Sequence, residues 1–502
     1  MIAKVVMVQG SSSSAGKSLL VTALCRLLAR RGVRVAPFKA QNMSNNAAVC
    51  PDGAEIGRSQ AVQAVAAGVD PSAEMNPVLL KPESNARSQV IVMGRPWRTV
   101  SAGEYYHHKA ELWPQITAAL DRLRATHEVV VIEGAGSPAE LNLRASDLVN
   151  MAVARYAQAP VLLVGDIDRG GIFAQLLGTL WLLECEERAL VRALVVNKFR
   201  GDMALFADGV RILEERSDLP VLGVIPFIPD LALPEEDSAT LDASMQWPSR
   251  EKGTIEIAVI RLPRIANFDD FAPLAAEASV SLRYVSSCDA LGSPHAVIVP
   301  GTKSTIADLI WLRDQGLDQA IQALAAKGTA VIGICGGYQM LGRNLHDPEK
   351  VESMLTHMHG LGLLPVDTVF VPAKATHQVE ARILDGPGWL HGLAGETIRG
   401  YEIHMGNTTS PQPWLVITRR SGTPVSLEDG TAAASGSVWG CYLHGLFENA
   451  TLRRAWLASL GWSGGTRPGQ GPIGLQAALN ALADHVEASL NMSQLERMIW
   501  GN

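Results

Sequence analysis

Two places in this chain combine residue type and spacing in a way that points to chemistry. The first is a cysteine between an apolar run and two glycines. Val331-Ile332-Gly333-Ile334-Cys335-Gly336-Gly337-Tyr338-Gln339 reads as a strand, a tight turn and a helix. Small neighbours let such a turn present its side chain, and a helix N-terminus favours a thiolate, so Cys335 reads as a nucleophile. A thiol nucleophile needs a base. Trp439-Gly440-Cys441-Tyr442-Leu443-His444-Gly445 supplies His444 at the end of a second strand-like run, within the logic of a nucleophile paired with a general base. The backbone N–H of Gly336 and one from Pro300-Gly301-Thr302-Lys303, assigned to Gly301, are the expected oxyanion donors.

The second place lies far upstream. Val5–Val8 runs into Gln9-Gly10-Ser11-Ser12-Ser13-Ser14-Ala15-Gly16-Lys17-Ser18. This is a phosphate-binding loop with one residue more than the common G-x-x-x-x-G-K-[ST] spacing. Gly10 and Gly16 free the backbone N–H groups to face phosphates, and the helix predicted over Leu19–Ala29 adds its positive end. Lys17 supplies a point charge to the terminal phosphates, and the Ser18 hydroxyl is a Mg2+ ligand. Strand-end acids join it: Glu133 after Val129–Ile132 and Asp166 after Val161–Val164, with Asp168 as the alternative to Asp166. Asn197, after Ala193–Val196, is placed to face the nucleotide base. The segment from Lys39 to Asn46 is rich in amides and hydroxyls. Asn42, Ser44, Asn45 and Asn46 are candidates for the wall of a roomy site, expected between the domains, for a ligand with several carboxylates or carboxamides.

Parallel strands alternating with helices are what must position these groups. The runs at 5–8, 129–132, 161–164 and 193–196 are separated by helical patterns such as Leu19–Ala29 and Ala110–Leu123. A second series follows at 255–260, 296–299 and 331–334. Between the series, four prolines from Pro226 to Pro248 and the acidic cluster at 235–237 break the periodicity. The reading is therefore an α/β chain with a P-loop parallel-sheet domain at 1–235, a linker at 236–252, a second α/β domain at 253–452 and a helical appendage at 453–502.

Bulk properties narrow the function classes. At 502 residues and 47% hydrophobic, the chain can bury two or three cores. A net charge of −7 with 5% aromatic residues argues against a nucleic-acid partner, which calls for a basic face and stacking rings. Six cysteines with no C-x-x-C pair give neither a zinc site nor a disulfide framework. The first residues lead straight into a strand, and no apolar run reaches the roughly 20 residues of a membrane span. The expected setting is the cytoplasm, with small-molecule substrates and no membrane; the oligomeric state is left open.

Several resemblances sharpen this. The long-spacer loop resembles dethiobiotin synthetase-like ligases, and the Cys335 region resembles class I glutamine amidotransferases. Those amidotransferases carry His-Pro-Glu, whereas this chain has His444-Gly445-Leu446-Phe447-Glu448. Glu448 stands four positions on rather than two, so the reading leaves open a Cys–His dyad or another orienting acid. Taken together, Gly10–Ser18, Lys39–Asn46, Glu133–Gly136, Asp166–Gly171, Asn197–Asp202, Pro300–Ser304, Ile334–Gln339, Arg399–Gly406 and Tyr442–Phe447 resemble the cobyric acid synthase family of cobalamin synthesis. The resemblance implies glutamine hydrolysis at Cys335 and activation of corrinoid carboxylates by Mg-ATP. It implies amidation of the b, d, e and g carboxylates of adenosylcobyrinic acid a,c-diamide, with cobalt present only in the substrate. The neighbouring expectations are a cobyrinate a,c-diamide synthase or another two-domain amidotransferase and, more remotely, a ParA-like regulatory ATPase.

Overall fold

The structure is a computed structural model that describes residues 2–83, 86–229, 233, 254–464 and 474–501. The segment expected to link the domains, 236–252, lies outside the described residues.

The N-terminal region is built on a six-stranded parallel sheet in the spatial order Val221–Pro226, Val191–Phe199, Val161–Asp166, Lys4–Gly10, Val129–Glu133, Val35–Phe38. Its central strands read as unbroken Val, Ile and Leu because helices cover both faces. Helix α1 (Lys17–Arg30) follows the first strand and buries Leu20, Val21, Leu24, Cys25, Leu27 and Leu28 against it. Helix α2 (Arg58–Ala67) is almost wholly buried, including Gln60 and Gln63. The sequence reading did not anticipate the four-stranded sheet inserted before the long helix Ala102–Thr126. Its order is Gln41–Met43, Val78–Pro82, Arg87–Val92, Arg95–Ser101. A capping box starts that helix: Ser101 Oγ accepts from the Glu104 N–H, and Glu104 accepts from the Ser101 N–H at 2.8 Å.

The C-terminal region has a second mainly parallel sheet, in the order Val280–Val285, Ile255–Ile260, Ala296–Val299, Ala330–Ile334, Val438–Cys441, Thr431–Ala432, with the last pair antiparallel. Beside it stands a mainly antiparallel sheet organised by the long strand Asp367–Ile383, which pairs with Thr397–Thr409 and Leu415–Arg420. This sheet, too, went unread in the sequence. Its strands alternate buried and exposed residues irregularly, and the long pair is interrupted by a register shift between Phe370 and Ala375.

The stretch read as one C-terminal appendage divides. Helix Ala450–Ser459 packs into the C-terminal core through Leu452, Trp456 and Leu457. Helices Leu475–Ser489 and Met492–Trp500 return to the N-terminal region, where Leu479, Leu482, Val486, Leu495 and Ile499 share one core with α1.

Candidate active sites

Both candidate sites sit at carboxyl ends of parallel strands, where the chain turns into a helix. In the first, Gly16 caps α1 with φ +94°, a conformation that favours glycine. Lys17 is buried and donates to the carbonyls of Ser12 (2.8 Å), Ser13 (3.2 Å) and Gly136 (3.0 Å), tying the loop to the turn after Val129–Glu133. Ser18 Oγ donates to Glu133 Oε1 at 2.8 Å, so the hydroxyl and the strand-end carboxylate that the sequence paired do converge. Two further side chains, unmarked in the sequence, also reach Glu133. Lys39 Nζ lies 2.8 Å from Oε1, and Gln63 Nε2 donates to Oε2 at 2.6 Å.

Two further expected members have partners within the protein. Asp166 is engaged by Lys198 (2.9 Å) and by the Asp168 N–H (3.0 Å), while Asp168 pairs with Arg200. Asn197 is tied to the loop. Its Nδ2 donates to the Ala15 carbonyl at 2.8 Å and packs against Gly16, so it braces the loop. Among the described residues no group of three or more His, Cys, Asp or Glu gathers to hold a metal. Any cation here would rest on the hydroxyl–carboxylate pair and on phosphate oxygens, a donor set that suits Mg2+.

A cleft of about 860 Å3 opens beside Ser13 and Gly136, two of the three residues whose carbonyls hold Lys17. It lies within the N-terminal region and not between the domains. Cationic side chains on its lining are Arg87, Lys109, Arg144 and Arg155. Asn42, Ser44, Asn45 and Asn46 do not line it; their neighbours Gln41 and Met43 do. The four are committed to structure. Asn42 donates to Gln60, Ser44 Oγ accepts from the Asn46 N–H, Asn45 donates to the Pro82 carbonyl, and Asn46 Oδ1 accepts from the Phe268 N–H across the domain boundary. Short polar side chains bond the protein's own backbone and amides as readily as they line sites, and each of these four has such a partner.

In the second site Cys335 adopts φ 52°, ψ −111° at the start of helix Gly336–Leu341. That is strained for a residue with a side chain, and it aims the thiol out of the turn. The glycines around it are sterically required: a Cβ on Gly337 would fall on the Val299 carbonyl, and one on Gly336 would stand 2.8 Å from Thr302 Cγ2. The thiol is buried, shares the wall of one chamber with His444, and lies 3.5 Å from the Ile403 carbonyl. His444 Nδ1 lies 2.6 Å from Asp270 Oδ2, and Asp270 Oδ1 accepts from the Gly445 N–H at 2.9 Å.

The orienting acid left open by the sequence is therefore Asp270, 174 residues before the histidine, while Glu448 is exposed. Burial alone would lower the His444 imidazole. The Asp270 carboxylate, then Cys335 and the hydrogen bonds to both, outweigh it and raise it to about 10. No local signal marked Asp270, because the loop that carries it belongs to a different turn of the sheet. The Arg399–Gly406 run lies on the strand that crosses the site. Tyr401 stacks on His444 with ring centroids 5.3 Å apart, and Gly400 leaves room for the His444 carbonyl. Gly301 packs against the His444 ring, and Gly336 stands beside Thr302, so the two expected oxyanion residues flank the same place.

A chamber of about 50 Å3 adjoins the thiol, and the N-terminal region supplies Lys81 and Gln89 to its wall alongside Lys303 and Lys374. Burial would raise the Glu55 carboxyl, but Lys374 and then Lys81 hold it at about 2. Burial brings the Lys374 ammonium down to about 8 despite Glu55. Strand alternation gives the inserted sheet two faces: Leu80, Pro82 and Ser88 line the cleft, whereas Lys81 and Gln89 line the chamber.

Comparison with known proteins agrees with this division. Residues 6–241 match the family model described as a CobQ/CobB/MinD/ParA nucleotide binding domain, and residues 256–452 match that of a CobB/CobQ-like glutamine amidotransferase domain. The fold and the two matches define an ATP-dependent amidotransferase, a ligase with its own glutaminase domain. Proteins named cobyric acid synthase are similar over the full length: that of Chloroflexus aurantiacus is 54% identical over 502 residues (99% of this chain, all of the relative), and that of Chloroflexus aggregans is 55% identical over 501 (99% of each). The Roseiflexus castenholzii protein of the same name is 54% identical over 498 residues, again 99% of each chain. The chain belongs to the cobyric acid synthase family. Among the described residues no helix is long and apolar enough to cross a membrane.

Proposed function

We propose that this enzyme converts the b, d, e and g carboxylates of adenosylcobyrinic acid a,c-diamide to amides, using glutamine as nitrogen donor and one ATP per amide. The observation that carries the reading, beside membership of the family, is the large cleft against the Lys17 loop, whose lining carries Arg87, Lys109, Arg144 and Arg155 beside Glu140, Asp147 and Glu187. It has the volume for a macrocycle, with cations on its wall to meet carboxylates.

Cys335 passes its proton to His444 and attacks the glutamine carboxamide carbon, forming the Sγ–C bond. Gly336 and Gly301 N–H groups receive the charge that builds on oxygen. His444, held in one orientation by Asp270, returns the proton to nitrogen as the C–N bond breaks and ammonia leaves; water then hydrolyses the thioester to glutamate.

In the cleft, a substrate carboxylate oxygen attacks the γ-phosphorus of ATP with loss of ADP, turning a poor leaving group into phosphate, and ammonia displaces that phosphate. Lys17 draws the terminal phosphate into place. Ser18 and Glu133 are the residues that would hold Mg2+, which when bound offsets negative charge on the phosphate oxygens.

The test is mass spectrometry of the a,c-diamide incubated with enzyme, Mg-ATP and glutamine. Four successive mass decrements, each the replacement of a hydroxyl by an amino group, are expected. An unchanged corrinoid alongside active glutamine hydrolysis would reject the substrate and direct trials to cobyrinic acid.

A further inference from the structure

We infer that Arg58, a residue of the nucleotide-binding domain, is a positioning residue of the glutaminase site: it neutralises Asp269 and so keeps Asp270 against His444. This rests on the reading of Cys335, His444 and Asp270 as the glutaminase triad.

Asp269 and Asp270 are adjacent and both buried, at 7% and 6% exposure, on a short turn, Phe268–Phe271. Two neighbouring carboxylates in a site that excludes water repel each other, and an uncompensated one would protonate or drive the turn outward. The compensating cation comes from the other domain. Arg58 Nε lies 2.7 Å from Asp269 Oδ2, a close ion pair although the N–H is not well aimed along it. The guanidinium is also within the field of Asp270 and Tyr401.

The backbone beside Arg58 grips the same turn. The Asn46 carbonyl accepts from the Arg58 N–H at 3.1 Å while its side chain accepts from the Phe268 N–H at 3.3 Å. The Ala47 N–H donates to Asn267 Oδ1 at 3.1 Å, and Asn267 Nδ2 donates to the hydroxyl of Tyr401, the ring stacked on His444. The amide-rich run from Lys39 to Asn46 thus ends in a clamp on the turn that orients the base. Arg58 supplies that clamp's charge. It touches neither glutamine carbon nor thiol, so its effect runs through Asp269 and Asp270.

The experiment uses the full-length enzyme with Arg58→Gln and Arg58→Lys, following glutamate release from glutamine and, separately, amidation of the a,c-diamide supported by ammonium chloride. In Arg58→Gln, kcat for glutamine hydrolysis should fall about 10- to 100-fold, the scale of a displaced catalytic group. KM for glutamine and ammonia-supported amidation should each stay within about twofold, because neither glutamine binding nor the cleft is touched. Arg58→Lys, which keeps the charge but not the planar fork, should lie between wild type and Arg58→Gln. Wild-type kcat in Arg58→Gln overturns the inference. Should Arg58→Gln lose ammonia-supported amidation as well, the double variant Arg58→Gln/Asp269→Asn decides, because it removes the carboxylate left uncompensated: recovered glutamine hydrolysis upholds the inference, and a kcat as low as that of Arg58→Gln overturns it. Cys335→Ala separates the two levels. If that variant still hydrolyses glutamine, the triad reading fails; if it is inactive while Arg58→Gln is normal, only the role of Arg58 fails.

Discussion

The P-loop and the cysteine elbow are the same device used in opposite ways. Each is a strand from a parallel sheet that turns sharply at its carboxyl end into a helix, and each needs one residue at positive φ. At the P-loop that residue is Gly16, at φ +94°, and the product of the turn is a backbone surface. At the elbow it is Cys335, at φ 52°, and the product is a side chain. Glycine takes up the conformation at no steric cost, so a loop that binds with its main chain uses glycine. A nucleophile cannot be glycine. There the strain is accepted, and the glycines move to the flanks, where Gly336 and Gly337 clear the space that a Cβ would occupy.

The largest effects expected are those that separate the two turns. Cys335→Ala should lower glutamine-dependent amidation by on the order of ten-thousand-fold or more and leave ammonia-dependent amidation intact. Lys17→Ala should abolish amidation with either donor. Product analysis with both nitrogen sources checks the pair, and full ammonia-dependent activity in Lys17→Ala would break the assignment of the first turn. Next comes the acid behind the base: Asp270→Asn should cost roughly a hundred- to ten-thousand-fold in kcat for glutamine hydrolysis, with ATP-driven use of ammonia unchanged.

The flanking glycines give a stability test. A methyl on Gly337 meets a carbonyl of the neighbouring strand, which cannot move cheaply. Gly337→Ala should therefore lose about 1–3 kcal/mol in denaturant melts together with glutaminase activity. The charge on His444 gives a pH test. Its imidazole is raised to about 10 in the fold, against about 6.5 in an unfolded chain. The folded state binds the proton more tightly, so the stability this brings is complete below about pH 6.5 and is lost as pH climbs to about 10. The melting-temperature gap between wild type and Asp270→Asn should narrow over that interval; a gap that widens would place the charge elsewhere. The smallest effect is expected away from both turns. Arg31, paired with Glu487 and Glu496 at the surface, should be worth about 1 kcal/mol or less to stability, and less still in high salt.

Local chemistry was legible in the sequence and long-range partnership was not. The P-loop, Glu133, Cys335 and His444 each announce themselves by a strand, a turn and a residue type within about ten positions, and the structure brings Ser18 to Glu133 and Cys335 to His444. Asp270 carries no such signature, because its role exists only where a loop after one strand meets the end of another. Lys39 and Gln63 are invisible as Glu133 partners for the same reason. The amide-rich run was conspicuous, but its partners within the protein were not legible. Composition told that Asn42, Ser44, Asn45 and Asn46 would make hydrogen bonds, but not whether the partner would be a ligand or the protein's own turns. The inserted sheet and the long antiparallel sheet were lost between strands too short or too irregularly buried to show a period of two.

The return of the last two helices to α1 has a consequence for how the molecule is made. A ribosome delivers the nucleotide-binding region before the glutaminase domain, yet the apolar side of α1 and the strand Val221–Pro226 wait for Leu479, Leu482, Val486 and Leu490, which leave the exit tunnel after that domain. The glutaminase domain, synthesised between them, has its core within one continuous stretch and can close early. The half of the enzyme that spends ATP is thus begun before the ammonia-producing half and finished after it, and the ammonia-producing half folds while its consumer is still incomplete.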